Sequence, residues 1–113
     1  MEKEFVSNSN DALTNAKDYL YSNPFCSNSQ LAQMCKISVP YLYKIFKQIE
    51  KETPNSYRQK VMCDKAKDLL RATDFSIEEI SRMLEFSSSG YFRTIFKKHI
   101  GMTPIEYRKL FYF

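Results

Sequence analysis

The feature that most restricts the fold of this chain is an internal duplication within its 113 residues. Residues 41–47 return fifty positions later as residues 91–97, with tyrosine, isoleucine, phenylalanine and lysine at matching places. The same offset, or one residue less upstream, pairs Thr53 with Thr103, Pro54 with Pro104, Tyr57 with Tyr107, Arg58 with Arg108, Ser27 with Ser76 and Met34 with Met83. Two copies are fewer than the roughly three that a solenoid needs, so the duplication predicts a paired helical motif.

Capping chemistry predicts where the helices begin. Residues 27–30 and 76–79 are capping boxes, in which a serine oxygen accepts from the backbone and a glutamine or glutamate reaches back. Residues 53–54 and 103–104 place a threonine hydroxyl before a proline at the first helical position. The predicted helices span residues 10–22, 28–35, 39–51, 54–72, 77–84, 89–99 and 104–111. The fold is therefore predicted to be all-α, with seven helices and no strand.

Composition and charge fit a packed helical protein that meets a polyanion. The chain is 43% hydrophobic and holds 2 glycines, which favours helices over turn-rich sheets. Residues 28–113 carry fifteen basic and nine acidic side chains, whereas residues 1–27 carry two and four. This basic excess suits nucleic acid, although many other proteins are equally basic.

Metal proteins, membrane proteins and enzymes are disfavoured. Cys26, Cys35 and Cys63 form no C-x-x-C pair and have no histidine at ligand spacing, so we expect buried thiols and no metal. The apolar runs are too short for a bilayer and the N-terminus lacks a signal-peptide core, which predicts a cytoplasmic protein without a membrane partner. The single histidine, His99, and the glycine-poor sequence offer neither a catalytic set nor a phosphate-cradling loop. We therefore predict no enzymatic activity and no cofactor.

Two helices each have an apolar side and a polar side. Apolar residues at helical spacing predict core stripes: Leu42, Ile45, Phe46 and Ile49 in one helix, and Phe92, Ile95 and Phe96 in the other. The opposite sides are named the first outward face, Pro40, Tyr43, Lys44 and Lys47, and the second outward face, Gly90, Arg93, Thr94 and Lys97. A seated helix with small, polar and basic groups on its far side suits the major groove of DNA.

A short capped helix, a turn and a second amphipathic helix, occurring twice, is the order of the helix-turn-helix motif. From Ala12 to Phe111 the chain resembles the DNA-binding domain of the AraC/XylS family of transcription regulators. The resemblance lies in Ser38-x-x-Tyr41-Leu42-x-Lys44-x-Phe46-Lys47, Ile77-x-x-Ile80-Ser81 and Tyr91-Phe92-x-x-x-Phe96-Lys97-Lys98-x-x-Gly101-x-Thr103-Pro104-x-x-Tyr107-Arg108.

The resemblance implies two helix-turn-helix subdomains joined by a long central helix, with recognition helices near 39–51 and 89–99 entering adjacent major grooves. The central helix, residues 54–72, would be about 28 Å long, comparable to the roughly 34 Å between grooves one turn apart. The expected organisation is a tail over residues 1–9, a first subdomain over 10–53, the linking helix, and a second subdomain over 73–113.

The chain departs from the family pattern at four places. The family usually has glycine where this chain has Lys36 and Glu85, and arginine where it has Thr94 and Met62. We expect Arg93 to supply the basic contact that the family often makes from the Thr94 position, on the grounds of side-chain reach.

These considerations yield a predicted interface with double-stranded DNA. The residues expected to contact bases are Val39, Pro40, Tyr43, Lys44, Ser89, Gly90, Arg93 and Thr94. Those expected to contact phosphates are Ser38, Tyr41, Lys47, Arg58, Ser87, Ser88, Tyr91, Lys97, Lys98 and Arg108. RNA polymerase is an expected partner if the protein is an activator.

A helical protein-interaction module is the alternative from another class. Its contact residues would be Tyr43, Tyr91, Phe111, Tyr112 and Phe113, because these side chains are aromatic and tyrosines are good interface anchors. Salt separates the two functions, since DNA binding weakens steeply with ionic strength and an apolar interface does not.

Overall fold

The computed structural model describes residues 9–112. The predicted tail thus lies almost wholly outside the described residues, as does Phe113. Within the described range the secondary structure is all helical, as predicted. The helices are α1 (Ser9–Ser22), α2 (Asn28–Met34), α3 (Val39–Ile45, continued by a π-helical turn, Phe46–Glu50), α4 (Pro54–Ala72), α5 (Ile77–Met83), α6 (Ser89–Ile100) and α7 (Pro104–Lys109).

The predicted caps form. Ser27 and Ser76 each begin a complete capping box. Thr103 forms a third box with Glu106, and the Thr53 hydroxyl accepts from the Ser56 amide at 3.1 Å. These contacts join residues three positions apart, which is why the local sequence was sufficient to predict them.

The π-helical turn corrects one part of the predicted first core stripe. Ile49 is 41% exposed, whereas Leu42, Ile45 and Phe46 are buried. A π-helical turn bonds residue i to i+5 and therefore changes the angular position of the residues that follow Phe46. The spacing that holds for an α-helix consequently does not extend to Ile49.

The chain forms two compact units, the first ending at Arg58 and the second beginning at Gln59. The core of the first unit consists of Ala12, Leu13, Ala16, Leu20, Leu31, Ala32, Leu42, Ile45 and Phe46. The Phe46 ring packs on Tyr57 with centroids 5.7 Å apart. Lys17 Nζ lies 2.7 Å from Glu50 Oε2, and this ion pair joins α1 to the π-helical turn. Helix α3 therefore packs on the core of this unit through Leu42, Ile45 and Phe46, and the ion pair holds the π-helical turn at its C-terminal end.

The second unit has a more aromatic core. Its buried members are Cys63, Ala66, Leu70, Ile77, Ile80, Leu84, Phe92, Ile95, Phe96 and Tyr107. Ring contacts run from Phe92 to Phe96 at 5.7 Å, from Phe96 to Tyr107 at 5.9 Å, and from Tyr107 to Phe111 at 5.2 Å. Phe111 is thus a satellite of the core, although it lies beyond the end of α7. Amide-to-carbonyl bonds to residues three positions back tighten the chain there, so α7 is shorter than predicted.

The turn inside each helix-turn-helix is a Schellman motif. The Ile37 amide bonds Ala32 O at 3.0 Å and the Lys36 amide bonds Gln33 O at 3.1 Å. The second unit repeats the motif from Phe86 and Glu85, with distances of 2.9 Å and 3.0 Å. The motif requires a left-handed residue, and the φ angles of Lys36 and Glu85 are 60° and 59°. These are the two places where glycine was expected from the family pattern.

Glycine at these positions should stabilise each unit. We expect Lys36→Gly and Glu85→Gly each to raise the free energy of unfolding by about 0.5–1 kcal/mol, because a side chain is strained at positive φ and glycine is not. Thermal and urea unfolding followed by circular dichroism measure the change. Lys98→Gly, inside α6, is the control, and it should lower the free energy of unfolding by about 1 kcal/mol because glycine is unfavourable within a helix. Loss of stability in all three variants would contradict the assignment of strain.

Candidate nucleic-acid interface

The first outward face lies on a helix with a well-defined start. Ser38 caps α3, its Oγ accepting from the Tyr41 amide at 3.2 Å. Pro40, Lys44 and Lys47 are exposed, and Val39 is half-buried. The core beneath α3 is apolar, so these groups are presented to solvent on a firmly seated helix.

Tyr43, in the middle of the first outward face, is half-buried rather than free. Its hydroxyl accepts a hydrogen bond from Asn28 Nδ2 at 3.1 Å. The Asn28 amide also donates to Asn55 Oδ1 at 3.2 Å. Asn28 is the first residue of α2, and the sequence analysis did not single it out.

The second outward face combines small and basic groups. Gly90, Thr94, Lys97 and Lys98 are exposed on α6, and Ser89 is half-buried. A Cβ atom built on Gly90 would have one neighbouring atom within 4 Å, Ser88 Oγ at 3.9 Å. The fold therefore has room for a larger residue there, and glycine leaves the surface flat where a partner can approach closely. Thr94 Oγ1 donates to Gly90 O at 3.1 Å and remains able to accept.

Arg93 is held by two side chains of its own unit. Its Nη2 lies 3.1 Å from Glu78 Oε2, and its Nη1 lies 3.4 Å from Ser89 Oγ. The Arg93 side chain is still 41% exposed. The pKa of Glu78 is lowered, first by its own backbone amide and then by Arg93, so the carboxylate is ionised at neutral pH.

Arg58, which was predicted to contact phosphate, binds groups of its own unit instead. Its Nη1 donates to the carbonyls of Pro24 at 2.8 Å and Cys26 at 2.5 Å, and its Nη2 donates to Asn28 Oδ1 at 2.6 Å. These bonds connect α4 to the segment between α1 and α2. Because the guanidinium binds two backbone carbonyls and Asn28 at once, which would lose these donors if it turned toward a phosphate, we remove Arg58 from the set of phosphate contacts.

Arg108 is engaged in the same way in the second unit. Its Nε donates to Leu70 O at 3.1 Å and its Nη2 to Thr73 O at 3.2 Å. Thr73 corresponds to Pro24 in the duplication, so each arginine binds the same equivalent carbonyl, while the second carbonyl differs, Cys26 O for Arg58 and Leu70 O for Arg108. Arg108 therefore also leaves the set of phosphate contacts. No spacing rule in the sequence identifies these bonds, which join residues 35 and 38 positions apart.

The remaining predicted phosphate contacts lie at both ends of the two helices. Ser38, Tyr41, Ser87, Ser88 and Tyr91 lie around the starts of α3 and α6, whereas Lys47 lies in the π-helical turn and Lys97 and Lys98 lie in the last turn of α6. Ser87 and Ser88 are exposed, and Ser88 Oγ accepts from the Tyr91 amide at 3.0 Å. Tyr91 is 46% exposed and its hydroxyl accepts from Gln59 Nε2 at 3.2 Å. Tyr41 is half-buried and packs against the first core. A cap uses an acceptor lone pair of serine, so the hydroxyl proton is still able to reach a phosphate.

Other chemistry has little support among residues 9–112. No group of three or more histidine, cysteine, aspartate or glutamate side chains in this range is placed to hold a metal ion. Burial raises the pKa of the Cys63 thiol to about 12, so it stays protonated. His99 Nε2 lies 3.2 Å from Gln59 Oε1 at the end of α6. None of the helices in the described range is both long and apolar enough to cross a membrane.

Comparison with known proteins gives consistent matches. Residues 31–110 match the model of a helix-turn-helix domain family. The HTH-type transcriptional activator RhaR of Mannheimia succiniciproducens is 37% identical over 91 residues, which cover 80% of this chain and 31% of RhaR. The melibiose operon regulatory protein of Escherichia coli K12 is 33% identical over 82 residues, covering 73% of this chain and 27% of that protein. The chain thus spans about a third of these relatives.

Solved structures extend the similarity to the fold. One of these structures is a transcriptional regulator from Chromobacterium violaceum that contains an AraC-type DNA-binding domain. It is 28% identical to this chain and has a TM-score of 0.86. The match covers 94% of this chain and 96% of the other. The C-terminal domain of the response regulator yesN from Fusobacterium nucleatum is 30% identical, with a TM-score of 0.69 over 89% of this chain and 98% of that domain.

Proposed function

The chain belongs to the AraC/XylS family of helix-turn-helix domains, and from this premise we propose that it binds specific double-stranded DNA sequences and regulates transcription. The observation that carries the proposal is the second outward face. Gly90, Thr94, Arg93 and Lys97 lie opposite the buried Phe92 and Phe96 on one helix. This helix packs on a buried aromatic core, has glycine in its first turn and presents Arg93, Thr94 and Lys97 to solvent, which suits reading of the major groove.

The proposed contacts follow the two outward faces. Bases would be contacted by Val39, Pro40, Tyr43, Lys44, Ser89, Gly90, Arg93 and Thr94. Phosphates would be contacted by Ser38, Tyr41, Lys47, Ser87, Ser88, Tyr91, Lys97 and Lys98. Arg58 and Arg108 are omitted because their guanidinium groups bind backbone carbonyls.

Selection of bound DNA from a random duplex pool tests the function directly. We expect one sequence class to be enriched, with affinity that falls steeply as salt increases. The duplication supports one groove contact from each unit, and the prediction of two sites about 10 bp apart is tested by footprinting the selected sequence. Absence of enrichment at low salt would contradict DNA reading.

Arg93 and Tyr43 occupy equivalent positions in the duplication and should read different bases. An arginine can donate two hydrogen bonds to guanine, whereas tyrosine suits a thymine methyl or a phosphate. We expect Arg93→Ala to weaken binding to the preferred site by about 1–3 kcal/mol and to relax selectivity at one or two base pairs. Tyr43→Ala should disturb the other half-site. Affinities for single-base variants at one salt concentration measure both effects. An equal loss on every variant would make Arg93 a phosphate contact.

RNA polymerase is the protein partner that we propose if the chain works as an activator. The support is that RhaR, one of the relatives, is a transcriptional activator. We propose that this protein works in the bacterial cytoplasm and lies at the nucleoid when it is bound to DNA. Transcription in vitro from a promoter that carries the selected sequence, with and without the protein, distinguishes activation from repression.

The structure gives the alternative of a protein-interaction module weaker support than the sequence alone did. Phe111 packs on Tyr107 and the Tyr112 hydroxyl bonds Thr73 O at 3.1 Å, so these aromatics already have intramolecular partners. Tyr91 and Tyr43 also accept hydrogen bonds within their units. Binding of a partner that did not respond to salt would revive this alternative.

A further inference from the structure

The contact between Glu78 and Arg93 connects the two helices of the second helix-turn-helix. Glu78 is the second residue of α5, and its Oε2 is 3.1 Å from Arg93 Nη2 in the middle of the second outward face. Ser89 Oγ, 3.4 Å from Arg93 Nη1, restrains the other end of the guanidinium. Both terminal nitrogens of the side chain therefore have a partner before any ligand is bound.

The first unit has a parallel arrangement. Asn28, the first residue of α2, donates to the hydroxyl of Tyr43, which is the equivalent of Arg93 in the duplication. In each unit, then, the first turn of the supporting helix holds the central side chain of the outward face. The holding residues differ in chemistry, an amide for a hydroxyl and a carboxylate for a guanidinium, and each matches the group that it holds.

We propose that Glu78 is a positioning residue that directs Arg93 toward a base and away from the DNA backbone, and thereby sets selectivity at the second half-site. This role rests on the proposed DNA binding. An arginine without a partner close to a duplex is satisfied by any phosphate, and phosphate contacts carry no sequence information. Glu78 holds one edge of the planar guanidinium and leaves other donors available. Its negative charge also disfavours the phosphate backbone, so it lowers affinity for all sequences while it raises the preference for one.

Glu78→Gln tests the role, and the neighbouring residue offers a matched control. Glu79→Gln removes the same charge one residue away, where the side chain accepts a hydrogen bond from the Ser76 amide at 2.8 Å. Glutamine is able to keep that cap, as Gln30 does in the first unit. The Kd of each variant and of wild type is measured on the selected site and on its single-base variants, at two salt concentrations, after circular dichroism has verified folding.

Both variants should bind all sequences more tightly and by a similar factor, because each loses one negative charge. Only Glu78→Gln should lose selectivity, by about fivefold at the one or two base pairs that Arg93→Ala also relaxes. In an Arg93→Ala background, Glu78→Gln should leave selectivity unchanged, since its action passes through Arg93.

Identical selectivity profiles for Glu78→Gln and Glu79→Gln would overturn the positioning role, while specific binding by wild type would leave the proposed function intact. Further loss of selectivity by Glu78→Gln in the Arg93→Ala background would also overturn it, because Glu78 would then contact a base itself. Wild-type protein that prefers no sequence contradicts the proposed function, and the positioning role with it.

Discussion

Phe96→Ala is expected to lower the free energy of unfolding of the second unit by about 3–5 kcal/mol, because the ring is fully buried and its loss leaves a cavity. Phe96 contacts the rings of Phe92 and Tyr107, so the truncation also removes two aromatic contacts. Small domains have about 5–15 kcal/mol of total stability, so the expected loss is a large share of it. Urea unfolding followed by circular dichroism measures the loss.

Phe75→Ala is the matched control for this truncation. Phe75 carries the same side chain in the same unit but is 39% exposed. Its removal should cost about 1 kcal/mol or less, as expected for a surface substitution. A similar loss in both variants would mean that the ring contacts around Phe96 contribute less than their burial indicates.

Arg58→Ala is expected to cost about 2–3 kcal/mol in the first unit, which is the range for loss of hydrogen bonds from a charged group. The substitution leaves the carbonyls of Pro24 and Cys26 without the donor that joins them to α4, and it releases Asn28. Because Asn28 in turn holds Tyr43, we also expect weaker discrimination at the first half-site. Denaturant unfolding and single-base affinities measure the two effects.

Arg58→Lys separates this structural role from the originally expected phosphate contact. Lysine retains the charge and binds phosphate, but it lacks the planar fork that reaches two carbonyls and Asn28 at once. If Arg58 is structural, Arg58→Lys loses most of the stability that Arg58→Ala loses. Wild-type stability in Arg58→Lys, with DNA affinity lost only in Arg58→Ala, would restore the phosphate contact.

The helix boundaries were predictable because their causes are local. The capping boxes of Ser27 and Ser76 and the Thr-Pro starts of α4 and α7 depend on residues three or four positions apart. The buried sides of α3 and α6 follow from apolar spacing within one or two turns, except at Ile49, where the π-helical turn changes the spacing. The sequence analysis named Lys36 and Glu85 only as departures from a family pattern and did not predict their left-handed conformation.

The sequence by itself determined the seven helices, the duplicated helix-turn-helix order and the polar outward faces, because helical periodicity and capping are interactions between near neighbours. The tertiary structure decided which polar side chains are still available to a partner. Arg58 and Arg108 are engaged by carbonyls more than thirty positions away, and Arg93 by Glu78, fifteen positions away. Long side chains reach partners that the folded backbone brings close, and their spacing along the sequence does not encode those distances.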